Sequence, residues 1–220
     1  MTASSSPPVA LRITEIFYSL QGEARHTGRP TVFVRLTGCP LRCSYCDTAY
    51  AFTGGERMSL PAVLARVDSY APRYVTVTGG EPLAQPEALE LLTALCDAGY
   101  EVSLETGGAL DIANVDRRVG IVLDLKTPAS GEVARNRFAN LAHLKPDDEV
   151  KFVICDRADY EWAKAQMETH ALADRCEVLF SPADGRLDPA VLAEWILADR
   201  LPARFQMQLH KLLWGDERGR

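Results

Sequence analysis

Three of the six cysteines fall within eight residues, as Cys39, Cys43 and Cys46. Their C-x3-C-x2-C spacing lets one short loop present three thiolates together, as a metal ion or an iron–sulfur cluster requires. A structural zinc site or an electron-transfer cluster normally closes its shell with four protein ligands. A loop that offers three leaves one metal position open for chemistry. The spacing also fits a zinc knuckle completed by a distant Cys or His, such as His26. The other cysteines make poor fourth ligands. Cys96 falls on the apolar face of a predicted helix, and Cys155 and Cys176 lie at or beside predicted strands, where a free Cys behaves as a small hydrophobe.

The elements around this loop follow from pattern. Residues 12–19 read as a strand that ends in the polar turn Leu20, Gln21, Gly22 and Glu23. Residues 31–36 are β-branched and aromatic and predict a strand running directly into the cysteine loop, which Gly54 and Gly55 end. Ser59 is a good N-cap, Pro61 suits a first turn, and Leu60, Val63, Leu64 and Val67 recur at helical spacing. A strand over 74–78 is broken by Gly79, Gly80, Glu81 and Pro82, and a helix over 86–98 stops at Gly99. Further strands are predicted over 101–105, 119–125, 150–155, 177–180 and 205–209, with helices over 157–169 and 188–199. The run 119–125 is almost wholly apolar, as in strands covered on both faces.

Strand and helix alternate through short connections, the pattern of right-handed βαβ units and a parallel sheet. The chain has 220 residues, too few for about eight such units. The fold class predicted is α/β: a partial, open TIM-like barrel with about six parallel strands. Residues 11–220 read as a single domain. Residues 1–10 read as a disordered leader that lacks the basic and apolar regions of a signal peptide. The special residues gather where strands end, at 78–82, 105–108, 126–128, 181–185 and 210–211. In parallel α/β folds ligands bind at that edge.

Composition narrows the class of partner. A net charge of −6 argues against a nucleic-acid scaffold, which needs a basic face. No apolar run approaches the ~20 residues of a membrane span. Clustered cysteines without a secretion signal indicate metal binding in a reducing cytoplasm rather than disulfides.

The cysteine spacing after one strand and the Gly79-Gly80-Glu81-Pro82 turn after another resemble the radical S-adenosylmethionine (SAM) enzymes. That resemblance implies a [4Fe–4S] cluster on Cys39, Cys43 and Cys46, with SAM on the fourth iron, and hydrogen-atom abstraction from a substrate. Within that group, Glu15 to Glu23, Val34-Arg35-Leu36 and Cys46-Asp47-Thr48 are similar to the 7-carboxy-7-deazaguanine synthase family. The similarity runs from about Arg12 to Lys211. It implies conversion of 6-carboxy-5,6,7,8-tetrahydropterin by radical ring contraction with loss of ammonia, on the route to queuosine and other 7-deazapurines. It also implies Mg2+, a flavodoxin-like or similar reductant and a homodimer.

The resemblance assigns individual residues. Leu20, Gln21, Gly22, Arg35 and Thr78 are expected at the substrate, Arg35 on its carboxylate, for which a guanidinium fork is well shaped. Thr48 is expected on Mg2+, a hard cation that takes few protein ligands. SAM is expected against Tyr45, Asp47, Gly80, Lys126, Thr127, Pro128, Ser181, Pro182, Ala183 and Asp184. Residues 126–128 depart from the Ser-Pro-Lys that relatives often carry there. Glu105 and His210 are further polar residues at strand ends, and the tail after Trp214 matches no family feature. Two other readings share the cysteine spacing: a glycyl-radical activase and a zinc-stabilised binding module without catalysis.

Overall fold

Residues 9–220 are described by the structure, a computed structural model. The expected leader lies outside the described residues except for Val9 and Ala10, which belong to the sheet edge: Val9 accepts a hydrogen bond from Leu60 N, and Ala10 opens the first strand. Strands β1 (Ala10–Leu20), β2 (Pro30–Leu36) and β3 (Glu56–Ser59) precede helix α1 (Leu60–Asp68). Then come β4 (Tyr74–Gly79), α2 (Ala88–Asp97), β5 (Glu101–Thr106), β6 (Gly120–Asp124), β7 (Glu149–Ile154), α3 (Arg157–Thr169), β8 (Glu177–Pro182), α4 (Pro189–Asp199), β9 (Arg204–Phe205) and α5 (Leu209–Trp214).

All nine strands form one open sheet in the order β3-β1-β2-β4-β5-β6-β7-β8-β9. From β2 onward every neighbour is parallel, while β1 pairs antiparallel with both β2 and β3. The expected open α/β sheet is therefore present, with six full parallel strands and the two-residue β9. Local chemistry explains most boundaries. The Ser59 side chain accepts from Ala62 N at the start of α1, and Asp156 and Asp188 cap α3 and α4 in the same way. Inner strands are covered on both faces: residues 74–78 of β4 are all buried. Val63, Val67, Leu91, Leu92 and Leu95 of α1 and α2 join the core that β4 and its neighbours build.

Three features differ from the sequence expectation. No α-helix joins β5 to β6 or β6 to β7; only irregular and 3-10 segments do. The edge strand β3 has one apolar residue in four and gives no strand pattern. The expected strand over 205–209 is only Arg204–Phe205, followed by helix α5. The alternation of Phe205, Met207 and Leu209 mimics a strand. However, pairing with β8 ends where Gln206 N donates to Phe180 O, and the Gln206 and Gln208 side chains bond Glu23. Among the described residues, no helix is long and apolar enough to cross a membrane.

Candidate active site

The cysteine loop and the Gly-Gly turn meet at the C-terminal edge of the parallel strands. Glu81 N donates to Gly38 O at 2.8 Å, and Gly38 N donates to Ala51 O at 2.8 Å. A Cβ on Gly80 would lie 2.7 Å from Cys39 Cβ and closer still to Gly38 O. Only glycine permits this approach. Farther along the loop, Ser44 N donates to Ser130 O at 2.9 Å. Beneath it, the buried Glu81 carboxylate accepts from Gly107 N (2.7 Å), Leu83 N (3.0 Å) and the Thr106 hydroxyl (2.9 Å), joining the turns after β4 and β5.

Cys39, Cys43 and Cys46 are free and half-buried. Burial pushes all three thiols up, Cys43 to about 11. Backbone hydrogen bonds from Leu41 to Cys39 and from Thr48 to Cys46 oppose that rise. Among the described residues, no three His, Cys, Asp or Glu side chains converge tightly enough to hold a single ion. A [4Fe–4S] cluster differs from a zinc ion here, because each thiolate takes a different iron and the sulfurs stand apart. His26, the candidate fourth ligand of a zinc knuckle, is at the opposite edge of the sheet. It packs on the Tyr74 ring at 4.6 Å, near Glu101, where β4 and β5 begin.

A cavity of about 320 Å³ opens beside the three cysteines. Leu20, Gln21, Gly22, Arg35 and Thr78 line it, as do Thr48 and Gly80. Tyr45, Asp47, Lys126, Ser181, Pro182, Ala183 and Asp184 line it too. Thr127 and Pro128 do not. The Thr127 hydroxyl is committed to Val153 O (2.9 Å) and Asp159 Oδ2 (3.0 Å), and Pro128 starts a 3-10 turn. Those two residues shape the floor of the loop rather than the cavity wall. Two buried polar atoms in the wall, Tyr45 Oη and Asp124 Oδ1, have no partner among the described residues. Such orphans are costly unless a ligand or water satisfies them, so the wall fits a polar guest.

Much of the cavity wall is a network of charged and amide groups. Gln21 Nε2 donates to Thr76 Oγ1 at 3.0 Å and reaches Glu105 Oε1 at 3.3 Å; the Thr78 hydroxyl donates to Glu105 Oε2 at 2.9 Å. Glu23 pairs with Lys151, and Lys126 with Asp124 at 2.6 Å. Burial, then the charge of Glu23, pushes Glu105 up. Burial would also raise Glu23, but Lys151, with Gln208 and His210 adding to it, holds that carboxyl below its ordinary value. Burial works against the charge on Asp47 as well, yet hydrogen bonds from Thr48 and Gln208 keep it low.

Sequence reasoning named Glu105 and His210 without a role and missed Glu23, Asp124, Lys151, Gln208 and Arg220, all on the cavity wall. Lys151 carried a readable signal: a lysine inside the apolar run of β7. Gln208 and Arg220 carried none, because the path of the tail decides their placement. His210 lies over Gly22, where any Cβ would collide with its ring, and Leu209 N donates to Gly22 O at 3.0 Å. The tail thus closes the end of the cavity that begins at Leu20.

Comparison with known proteins adds to this geometry. Residues 33–130 match the family model of the radical SAM superfamily. The chain is 47% identical over 218 residues to a 7-carboxy-7-deazaguanine synthase of Chlorobaculum tepidum, covering 97% of this chain and 99% of that protein. It is 46% identical over 222 residues to a 7-carboxy-7-deazaguanine synthase of Koribacter versatilis, covering 94% and 98%. The crystal structure of QueE from Escherichia coli superposes with a TM-score of 0.71 at 23% identity, covering 91% of this chain and 95% of that one. At that identity the superposition speaks for the fold.

Proposed function

Because the chain belongs to the 7-carboxy-7-deazaguanine synthase family of the radical SAM superfamily, we propose that its cavity converts 6-carboxy-5,6,7,8-tetrahydropterin to 7-carboxy-7-deazaguanine with loss of ammonia. One observation carries this reading beyond the family name. A single cavity is lined by the three cysteines together with Arg35, Gln21 and Thr78. A radical source and a polar heterocycle with a carboxylate can therefore lie side by side.

On this reading Cys39, Cys43 and Cys46 hold a [4Fe–4S] cluster. The backbone at Gly80, with Tyr45, Asp47, Lys126 and residues 181–184, holds SAM. When bound, cluster and SAM supply hydrogen-atom abstraction. The chain's own residues bind and orient the substrate. Gln21 offers both a donor and an acceptor to a pterin edge, Thr78 and Glu105 add a hydroxyl and a carboxyl, and Arg35 faces the carboxylate. Thr48 supplies a neutral oxygen ligand for Mg2+. Thr127 and Pro128 serve by shaping the loop beneath the cysteines. Loss of ammonia accounts for the whole difference between substrate and product, so no net oxidant is consumed and SAM is regenerated.

The reading carries with it one radical SAM domain over residues 11–220, a homodimer, a flavodoxin-like electron donor and a cytoplasmic location. The deciding experiment is anaerobic reconstitution with iron and sulfide, then incubation of the reduced protein with SAM, Mg2+ and the carboxytetrahydropterin. The expected result is 7-carboxy-7-deazaguanine in excess of SAM consumed. 5′-Deoxyadenosine without a deazaguanine product would turn the assignment to a glycyl-radical activase.

A further inference from the structure

We infer that Glu15 and Tyr50 are positioning residues that aim the Arg35 guanidinium at the substrate carboxylate. The inference rests on the proposed function and deepens it.

The Arg35 side chain has one hydrogen bond among the described residues: its Nε donates to Glu15 Oε1 at 2.7 Å. The Tyr50 hydroxyl donates to the same oxygen at 2.8 Å. Both side chains of the ion pair are largely buried, 16% and 22% exposed. The guanidinium carbon sits 5.9 Å from the ring centroids of Phe17 and of Tyr50. The Nε edge is thus clamped and the plane is held against two rings. The two Nη groups remain for the cavity that Arg35 lines. They form the fork that meets a carboxylate with two parallel bonds. An unclamped Arg would lose more rotamer entropy on binding.

The backbone is built to place this clamp. Ile13 pairs with Leu36, and continuation of that register would put Thr14 opposite Arg35. The register shifts between Ile13 and Glu15, so Glu15 stands opposite Arg35 instead. A bulge that re-aims one side chain beside an active site is a known use of this irregularity. The displaced Thr14 hydroxyl bonds the Thr37 hydroxyl at 2.8 Å. Tyr50 comes from the 3-10 turn Ala49–Ala51, just after the cysteine loop and Thr48. The clamp thereby links the first strand, the substrate arginine and the cluster loop.

The test uses the reconstituted protein with SAM and Mg2+, and two readouts: steady-state kinetics, and calorimetric binding of 7-carboxy-7-deazaguanine against 7-deazaguanine, which lacks the carboxylate. Glu15→Leu should weaken binding of the carboxylated molecule about tenfold, the size of a lost charge-assisted bond. Binding of 7-deazaguanine should stay within about twofold, and KM should rise with kcat nearly unchanged. Glu15→Gln keeps the accepting oxygen and Tyr50→Phe removes only one donor, so each should give about a threefold loss of the same kind. In an Arg35→Ala background, Glu15→Gln should have no further effect. Equal weakening of both molecules, or additivity with Arg35→Ala, would overturn the inference by marking Glu15 as merely structural. Wild-type protein that bound neither molecule would instead refute the proposed function, and the clamp with it.

Discussion

Gln208 Nε2 lies 2.7 Å from Glu23 Oε1, so a residue near the C-terminus completes a wall begun by the turn after β1. The same nitrogen reaches Asp47 Oδ2 at 3.3 Å, and Asp47 follows the last cysteine of the loop. Gln206 adds a contact to Glu23 Oε2 at 3.3 Å and accepts from Ala24 N. The turn after β1, the cysteine loop and the tail are thereby held as one unit.

Gln208→Leu keeps the volume and removes the donor. It should cost about 1–2 kcal/mol of stability, because Glu23 and Asp47 both lose a hydrogen bond. The tail should also become the first site of proteolysis. Denaturant unfolding and limited trypsin digestion read the two effects. A tail as resistant as wild type would show that Gln208 does not hold it.

The Glu23–Lys151 pair is a sharper test of the cavity wall. The two side chains are 12% and 13% exposed. Removing the cation strands a buried carboxylate, so Lys151→Met should cost about 3–5 kcal/mol, and adding Glu23→Gln should restore most of it. The pH dependence has a fixed sign. The folded pKa of Glu23 is below its ordinary 4.5, so its contribution is full above that value and is lost as pH falls through the folded pKa. The folded pKa of Lys151 is above its ordinary 10.5, so its contribution is full below that value and is lost as pH rises through the folded one. The stability difference between wild type and the double variant should be flat from about pH 5 to 10 and shrink in acid. A difference that grew on acidification would contradict the pairing.

Gly80→Ala tests the contact between the two motifs. The new methyl would press on Cys39 Cβ and Gly38 O. Backbone must move, at about 1–3 kcal/mol, and the first cysteine moves with it. Iron and sulfide content after reconstitution should fall together with the unfolding midpoint. Gly99→Ala is the control for a glycine in open space at the end of α2, with the positive φ of 91° that disfavours alanine. It should lower stability and leave iron content unchanged. Full cluster content in Gly80→Ala would separate the turn from the loop.

Most of the frame was legible because its signals are local. Ser59 announces a helix start, apolar runs announce covered strands, and the glycine turns announce the ligand edge. The cysteine spacing announced a loop that gathers three thiolates for a metal or a cluster. What sequence could not supply was partnership across the sheet. Thr127 reads as a strand-end residue in a ligand position, yet Asp159, thirty-two residues away, captures its hydroxyl. The bulge that sets Glu15 opposite Arg35 leaves no mark in the residue pattern. Gln206 and Gln208 look like the polar half of an alternating strand, yet the chain turns into α5 and both side chains bond Glu23, far away in sequence.

Thr48 is the last residue of the loop whose role can be isolated. It precedes the turn Ala49–Ala51 but makes no capping hydrogen bond there. Its hydroxyl donates instead to Asp47 Oδ1 at 2.8 Å, which leaves the oxygen lone pairs directed away from that bond. A hydroxyl oxygen suits Mg2+, which keeps most of its shell as water and substrate oxygens. Thr48→Ala removes the hydroxyl proposed for Mg2+ without touching a cysteine. The Mg2+ concentration for half-maximal activity should rise by roughly tenfold or more, since even outer-shell partners of a metal carry that much. Iron content should stay at wild-type level, and Thr48→Ser, which keeps the oxygen, should recover most of the Mg2+ response. Loss of iron in Thr48→Ala would place Thr48 in the support of the cluster loop rather than on the metal. An unchanged Mg2+ response would remove it from the site altogether.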